Sequence, residues 1–316
     1  MKKLIIQIPC FNEEETLPLA LAELPRKVEG FDIVEWLVID DGCTDKTVDV
    51  ARQNGVDHIV HLTKNKGLAK GFMAGVHGCL KLGADVIVNT DADNQYRAAD
   101  IPLLVAPIVS GEAEFVVGAR PIDGIEYFSV TKKILQKIGS KVVRVVSKTK
   151  VKDATSGFRA ISRDAAMQLN VFNEYTYTLE TLIQAGQKNM AVMSVPVRIN
   201  PYLRPSRLMS SIPSYIYKSV ITILRILVVY KPFRFFVTIG ASILTVGLLL
   251  GIRFLAFYFS GSGDGHIQSL ILTSILIGTG FQVILVAFLS DLQSVNRRLM
   301  EDIQYRLKKK EYRKAT

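Results

Sequence analysis

The chain has 316 residues, with 39 lysines and arginines against 29 acids, a net charge of +10 and 49% hydrophobic residues. Together with a mean hydropathy of +0.25, this composition argues against a wholly water-exposed protein and places part of the chain in a membrane. The basic excess clusters beside two long apolar stretches, where anionic headgroups are the nearer partner, so nucleic acid is not an expected ligand.

In chain order, residues 1 to 125 alternate short apolar runs with helix-like stretches. Strands are predicted near Leu4–Ile8, Trp36–Ile39, His58–His61, Val86–Asn89 and Phe115–Val117, with helices between them, which implies an α/β domain around a mostly parallel sheet. The first run ends at once in Phe11-Asn12-Glu13-Glu14-Glu15, too short for a cleavable leader, and reads as the first strand. In such sheets ligands bind at the carboxyl ends of the strands. Here those ends carry Pro9-Cys10-Phe11-Asn12-Glu13, Asp40-Asp41-Gly42 and Asp91-Ala92-Asp93. No G-x-G-x-x-G follows the first strand and no G-x-x-x-x-G-K-[ST] occurs, so neither a dinucleotide fingerprint nor a P-loop explains these acids. Cys10, Cys43 and Cys79 have neither pair nor metal-ligand spacing, as in a reducing compartment.

Gly67, Gly71, Gly75 and Gly78 stand near helical spacing and read as close helix packing, with Gly67 also placed for backbone approach to a ligand. Asp91 and Asp93, two residues apart after an apolar strand, can direct oxygens at one hard cation, Mg2+ or Mn2+, shared with phosphate oxygens. Gln95 supplies a neutral third oxygen. Asp100 is expected to cap the next helix, which leaves Asp91 and Asp93 without that role.

Ile125 to Lys150 carries Lys133, Lys137, Lys141, Arg144 and Lys148 on one helical stripe and Ile134, Leu135, Ile138, Val142 and Val145 on another. It reads as a basic amphipathic helix over about residues 126–149, suited to a membrane interface or to the solvated face of a domain. A cytoplasmic domain is expected over residues 1–200. Residues 201–234, with Arg204 and Arg207 at their start, carry six lysines or arginines and no acid and read as juxtamembrane helices. Two apolar stretches, 235–259 and 267–289, are each about 35 Å long as helices, enough for a hydrocarbon core of about 30 Å. They form a transmembrane hairpin. Arg253, near the outer end of the first, snorkels to the interface or meets a lipid phosphate or helix. Residues 290–316 form a basic tail with eight lysines and arginines and four acids. The charge asymmetry puts both termini in the cytoplasm, and a two-helix anchor is suited to self-association.

The ordered set Ile8-Pro9-Cys10-Phe11-Asn12-Glu13-Glu14, Asp40-Asp41-Gly42-Cys43-Thr44-Asp45, Asn65-Lys66-Gly67, Asp91-Ala92-Asp93 and Thr155-Ser156-Gly157-Phe158-Arg159 resembles family 2 glycosyltransferases of the GT-A (Rossmann-like) fold. More narrowly, the chain is similar to polyprenyl-phosphate glycosyltransferases related to dolichyl-phosphate mannose synthase and to bacterial bactoprenol glucosyltransferases. The resemblance implies a nucleotide sugar as donor, a polyprenyl phosphate as acceptor and a bacterial inner membrane as location. It assigns Pro9, Phe11, Glu13, Asp41, Asp91 and Ala92 to the nucleotide sugar, alongside Gly67 with its backbone placed for a ligand, Asp91, Asp93 and Gln95 to the metal, and Arg120 to the diphosphate, with Asp93 and Arg120 counted as catalytic. Asp153 matches the position often proposed as base, although a lipid monophosphate is already mostly deprotonated at neutral pH and gains little from one. Orientation of the acceptor is the other reading for Asp153. Lys133, Arg204 and Arg207 are expected at the acceptor phosphate. Cys43 stands for the family's usual Ser, Phe11 for Tyr, and Arg97-Ala98-Ala99-Asp100 for a His-Pro-Pro-Glu continuation. Subfamily likeness favours UDP-glucose, with GDP-mannose as the alternative donor and an inactive nucleotide-sugar-binding scaffold as the alternative of another class. A processive polysaccharide synthase is disfavoured, because Trp36 follows Glu35 and the Gln-x-x-Arg-Trp motif is absent.

Overall fold

A computed structural model describes residues 1–121, 130–171, 177–201, 228–261 and 263–312, with isolated positions between 217 and 225. Side chains are described throughout these segments except at 130–136, 263 and 264. Arg204, Arg207 and the side chain of Lys133 therefore lie outside the described residues. The chain divides into two compact units, Met1–Val220 with Asp302–Thr316, and Ile221–Glu301.

The first unit is built on seven strands: β1 (Lys3–Cys10), β2 (Ile33–Asp40), β3 (His58–His61), β4 (Val86–Asn89), β5 (Phe115–Ala119), β6 (Arg159–Ser162) and β7 (Val192–Pro196). Their order in the sheet is β3-β2-β1-β4-β6-β5-β7. β1 runs parallel to β2 and β4, and β5 runs parallel to β7, while β6 is antiparallel to both β4 and β5. All five strands expected from the sequence are present, and two more complete the sheet. Leu4, Ile5, Ile6 and Ile8 are wholly buried on successive faces of β1, as a strand covered on both sides requires.

The helices of this unit are α1 (Leu17–Glu23), α2 (Thr47–Gln53), α3 (Leu68–Lys81), α4 (Ile101–Val109), α5 (Val130–Ser147), α6 (Arg163–Gln168) and α7 (Thr178–Gln187). The glycine spacing in α3 serves packing. A Cβ on Gly75 would stand 2.5 Å from Gln7 Oε1 and 2.7 Å from Ile39 Cδ1, so only glycine lets the helix lie this close to β1 and β2. Asp100 precedes α4 but does not cap it as expected. Its side chain makes no cap bond and instead accepts from the Arg198 backbone N–H (2.6 Å) and guanidinium Nε (3.0 Å). A wholly buried carboxylate gains more from a charged fork than from one helix N–H.

The second unit holds α8 (Pro232–Phe259) and most of α9 (Ile267–Glu311), both long and apolar enough to cross a membrane. The buried positions of α9 recur every seven residues, at Thr273, Gly280, Ala287, Ser294 and Glu301, and Gly240 and Gly247 of α8 keep the same interval. A Cβ on Gly240 would lie 2.9 Å from the Gly280 carbonyl oxygen, the close backbone approach that small residues permit between membrane helices.

α9 continues unbroken to Glu311, and its last turns belong to the first unit. There Tyr305 Oη donates to Asp164 Oδ1 (2.7 Å), and Lys308 Nζ donates to Leu169 O (3.0 Å) and Asn170 Oδ1 (2.9 Å). Arg163 donates to the Tyr312 carbonyl. At about 1 kcal/mol for each of the three hydrogen bonds removed, the double variant Tyr305→Phe/Lys308→Ala is expected to lower the melting temperature by about 6–12 °C. Scanning fluorimetry of the full chain in detergent measures this.

Candidate active site

Parallel β1, β2 and β4 deliver their carboxyl ends to one edge of the sheet, and β5, running in the same sense, brings Ala119 and Arg120 there. Antiparallel β6 starts at that edge, with Arg159 opposite Asn89. Reversal of this strand is what carries residues 153–158, before its first residue, to the same rim.

The loops after β1 and β2 are laced together by side chains. Asn12 Nδ2 donates to Thr44 Oγ1 (3.2 Å), and Thr44 N donates back to Asn12 Oδ1 (2.8 Å). Glu14 N donates to Asp45 (3.1 Å) and Lys46 N to Glu14 (2.9 Å). Glu13 Oε2 accepts from Thr16 Oγ1 (2.7 Å), its backbone N–H is held by Thr47 Oγ1, and Phe11 projects from the rim at 39% exposure. Pro9 is half-buried near the end of β1. The Cys43 thiol is pushed up to about 11 by burial, and its sulfur accepts the Asn12 N–H at 3.3 Å. Asp41 accepts from the backbone N–H groups of Lys66 (2.7 Å) and Gly67 (2.9 Å). It thus clamps the Asn65-Lys66-Gly67 loop to the end of β2, a task its sequence position did not reveal.

Asp91 and Asp93 follow β4, with buried Ala92 between them. Burial first, and Asp93 second, raise the Asp91 carboxyl to about 7, as expected for like charges sharing a desolvated site. Gln95 follows, its backbone N–H on Asp93 Oδ1 at 3.2 Å. Among the described residues no group of three or more acid, histidine or cysteine side chains is gathered for a metal. Two carboxylates and an amide oxygen still fit a cation that takes its remaining ligands from phosphates and water, as Mg2+ commonly does. A cation there would favour the charged form of Asp91 against the burial and the Asp93 charge that now oppose it.

Arg120 and Asp153 meet. Arg120 Nε donates to Asp153 Oδ2 (2.7 Å), and its Nη2 donates to Asp153 Oδ1 (3.2 Å) and Thr155 Oγ1 (3.0 Å). Asp153 is wholly buried and also accepts from the Thr155 hydroxyl at 2.9 Å. The Arg120 guanidinium carbon lies 5.9 Å from the centre of the Tyr96 ring, within cation–π range. Arg159 is wholly buried as well, bonded to the carbonyls of Ser156 and Ala154 and to Thr181 Oγ1. Burial lowers it to about 10, so it remains a cation at neutral pH.

Sequence reasoning did not single out Asn89, Tyr96 or Tyr177 as site residues. Asn89 Nδ2 donates to Gly157 O and to Tyr177 Oη, both at 2.9 Å, and Gly157 N donates to Tyr96 Oη at 2.9 Å. The available signal was a polar residue ending the apolar run of β4 immediately before the acids. On α5, Ser140, Val143 and Val146 are buried, while Ile138 and Val145 of the predicted apolar stripe are 53% and 66% exposed beside exposed Lys137 and Lys141.

Residues 5–169 match the family described as glycosyl transferase family 2. An undecaprenyl-phosphate mannosyltransferase of Micrococcus luteus is 28% identical over 200 residues, 60% of this chain and 80% of its own. A polyprenol monophosphomannose synthase of Mycolicibacterium smegmatis is 25% identical over 207 residues, 62% of this chain and 77% of its own. Among solved structures, glucosyl-3-phosphoglycerate synthase from Mycobacterium tuberculosis, in complex with Mn2+, uridine diphosphate and phosphoglyceric acid, superposes with a TM-score of 0.56. It shares 17% identity over 72% of this chain and 78% of that one, a likeness of fold.

With its carboxyl raised to about 7 against about 3.9 unfolded, Asp91 binds more protons folded than unfolded between those values. Its contribution to metal-free stability is therefore most favourable below about pH 4 and is lost as pH rises to 7. Asp91→Asn is expected to raise the melting temperature of EDTA-treated protein by about 2–4 °C at pH 8, with the gain shrinking toward pH 5. Paired thermal scans across that range check it.

Proposed function

The chain belongs to glycosyl transferase family 2, and from that premise we propose that it transfers a hexose from a nucleotide sugar to a polyprenyl phosphate at the cytoplasmic face of a membrane, with inversion. Glucose from UDP-glucose is the favoured donor. The observation that carries the reading is the Asp91/Asp93 pair on the strand-end rim beside the Arg120–Asp153 pair. A lipid acceptor is supported by two helices of spanning length, by the exposed Ile138 and Val145 of α5 among lysines, and by the acceptors in the names of both relatives. Those relatives transfer mannose, so a second reading is GDP-mannose with the same acceptor. Pro9, Phe11, Glu13, Asp41 and Gly67 are assigned to the nucleotide, and Lys133, Arg204 and Arg207 to the acceptor phosphate.

In the proposed reaction a phosphate oxygen of the lipid attacks the anomeric carbon, the bond from that carbon to the donor diphosphate breaks, and the electron pair leaves with the diphosphate. Asp91 and Asp93, with the amide oxygen of Gln95, would hold Mg2+ or Mn2+, whose charge neutralises the departing diphosphate. Arg120 adds a fixed positive charge at the same place. Its aim is set by Asp153 and Thr155, which hold Nε and Nη2. A buried carboxylate engaged by both guanidinium nitrogens is poorly placed to take a proton, and the acceptor phosphate needs none removed. Asp153 is therefore assigned to orienting Arg120.

Membranes containing the protein are expected to transfer radiolabelled sugar from UDP-glucose into extracted polyprenyl lipid, with loss on EDTA and at least about 100-fold loss in Asp91→Ala/Asp93→Ala. GDP-mannose in parallel decides the donor. Undiminished transfer by the double variant removes the metal mechanism. Asp153→Asn is expected to lower kcat while leaving the acid limb of the pH–rate profile in place. Disappearance of that limb restores Asp153 as the base.

A further inference from the structure

Asp91 rests on a glycine. A Cβ built on Gly157 would stand 3.1 and 3.2 Å from the two Asp91 carboxylate oxygens and 2.9 Å from Tyr177 Oη. The Cα of Gly157 is thus the surface against which the carboxylate lies, and no other residue leaves that space open. The backbone of Gly157 is gripped from both sides. Its N–H donates to Tyr96 Oη at 2.9 Å, and its carbonyl accepts from Asn89 Nδ2 at 2.9 Å.

Both grips are themselves fixed. Gln7 Nε2 donates to Asn89 Oδ1 at 2.9 Å, which sets the orientation of the Asn89 amide, since the flipped amide would turn its oxygen on the Gly157 carbonyl. The remaining Asn89 contact is Tyr177 Oη at 2.9 Å, and the Tyr177 ring is stacked on Phe72 with centroids 3.9 Å apart. The Tyr96 ring is stacked on Phe158 with centroids 5.0 Å apart. Gln7, Asn89 and Tyr177 are wholly buried, and Tyr96 is 4% exposed. A buried network in which each member has its partners is rigid, because any rotation strands a polar group in a low dielectric.

We propose that Asn89 and Tyr96 are positioning residues for Asp91: they hold Gly157 as a backstop that keeps the Asp91 carboxylate turned toward the cation and diphosphate. The assignment rests on the reading of Asp91 as a metal ligand. Without a backstop, repulsion from Asp93 and the pull of hydration would draw the side chain away from the shared position. Tyr96 and Asn89 touch no reacting atom. They act as outer-shell groups, whose loss in metal sites generally costs about 10–100-fold in metal affinity.

The test is Mn2+ binding by the full-length protein in detergent with saturating UDP, followed by loss of the free-ion electron paramagnetic resonance signal. Melting temperature and metal-free UDP affinity are measured on the same samples. Tyr96→Phe, which removes only the oxygen that accepts from Gly157, is expected to weaken Mn2+ binding about 10-fold with metal-free UDP affinity unchanged. Gly157→Ala, whose Cβ would meet both Asp91 carboxylate oxygens as well as Tyr177 Oη, is expected to weaken it at least as much. It carries the test if Tyr96→Phe does not fold. If wild type binds Mn2+ with UDP and both folded variants bind it equally well, the positioning role is overturned. Should the variants lose UDP affinity in parallel without metal, Tyr96 shapes the pocket in general and the proposal also falls. Failure of wild type itself to bind Mn2+ overturns the metal reading, and this assignment with it.

Discussion

Two carboxylates separated by one residue, just beyond a strand whose side chains are all buried, repel one another, and burial strips hydration from the first of them. Asp91 and Asp93 impose that cost on the rim of the sheet, and much of the surrounding structure answers it. Gly157 leaves room for the Asp91 carboxylate that a side chain would fill, while Arg120 and Arg159 contribute opposing charge. Arg120 is matched to Asp153. Arg159 is satisfied by two carbonyls and a hydroxyl, so its charge is not consumed by an ion pair and remains felt across the site.

The order β3-β2-β1-β4-β6-β5-β7 makes this possible. Were β6 parallel like its neighbours in the first half of the sheet, Arg159 would enter from the far edge and the Asp153-to-Phe158 segment would lie a strand length from Asp91. Reversal of one strand sets two distant stretches of sequence, 89–96 and 153–159, within hydrogen-bonding distance of each other.

Local patterns carried the parts of this that were legible in advance. Apolar runs of strand length marked β1 to β5, and acids immediately after β4 marked the centre of the rim, because both signals lie within a few consecutive residues. Contacts made across the fold left no such trace. Asp100 looked like a helix cap because its neighbours in sequence are a helix start, yet its partner is Arg198. Asp153 stood out as an acid beside a motif, but nothing in the spacing said that Arg120 would engage it. Asp41 was visible as a ligand candidate and not as the anchor of Lys66 and Gly67. The apolar stripe predicted on α5 is real as a pattern, but the core takes Val143 and Val146 and leaves Ile138 and Val145 outside. Periodicity fixes which residues share a face, and only packing decides which face turns inward.

The seven-residue seam between α8 and α9 has a mechanical consequence. Each glycine of α8 receives part of α9 directly, Gly240 meeting Ile284 and Gly280 and Gly247 meeting Leu276 and Ile277. Sliding one helix along the other by a single turn, about 5.4 Å, would carry Ile284 off Gly240 and toward the bulkier Phe236 or Leu244. The next glycine of the seam is a full heptad away, about 10.5 Å. The pair therefore behaves as a keyed joint whose two halves keep their register.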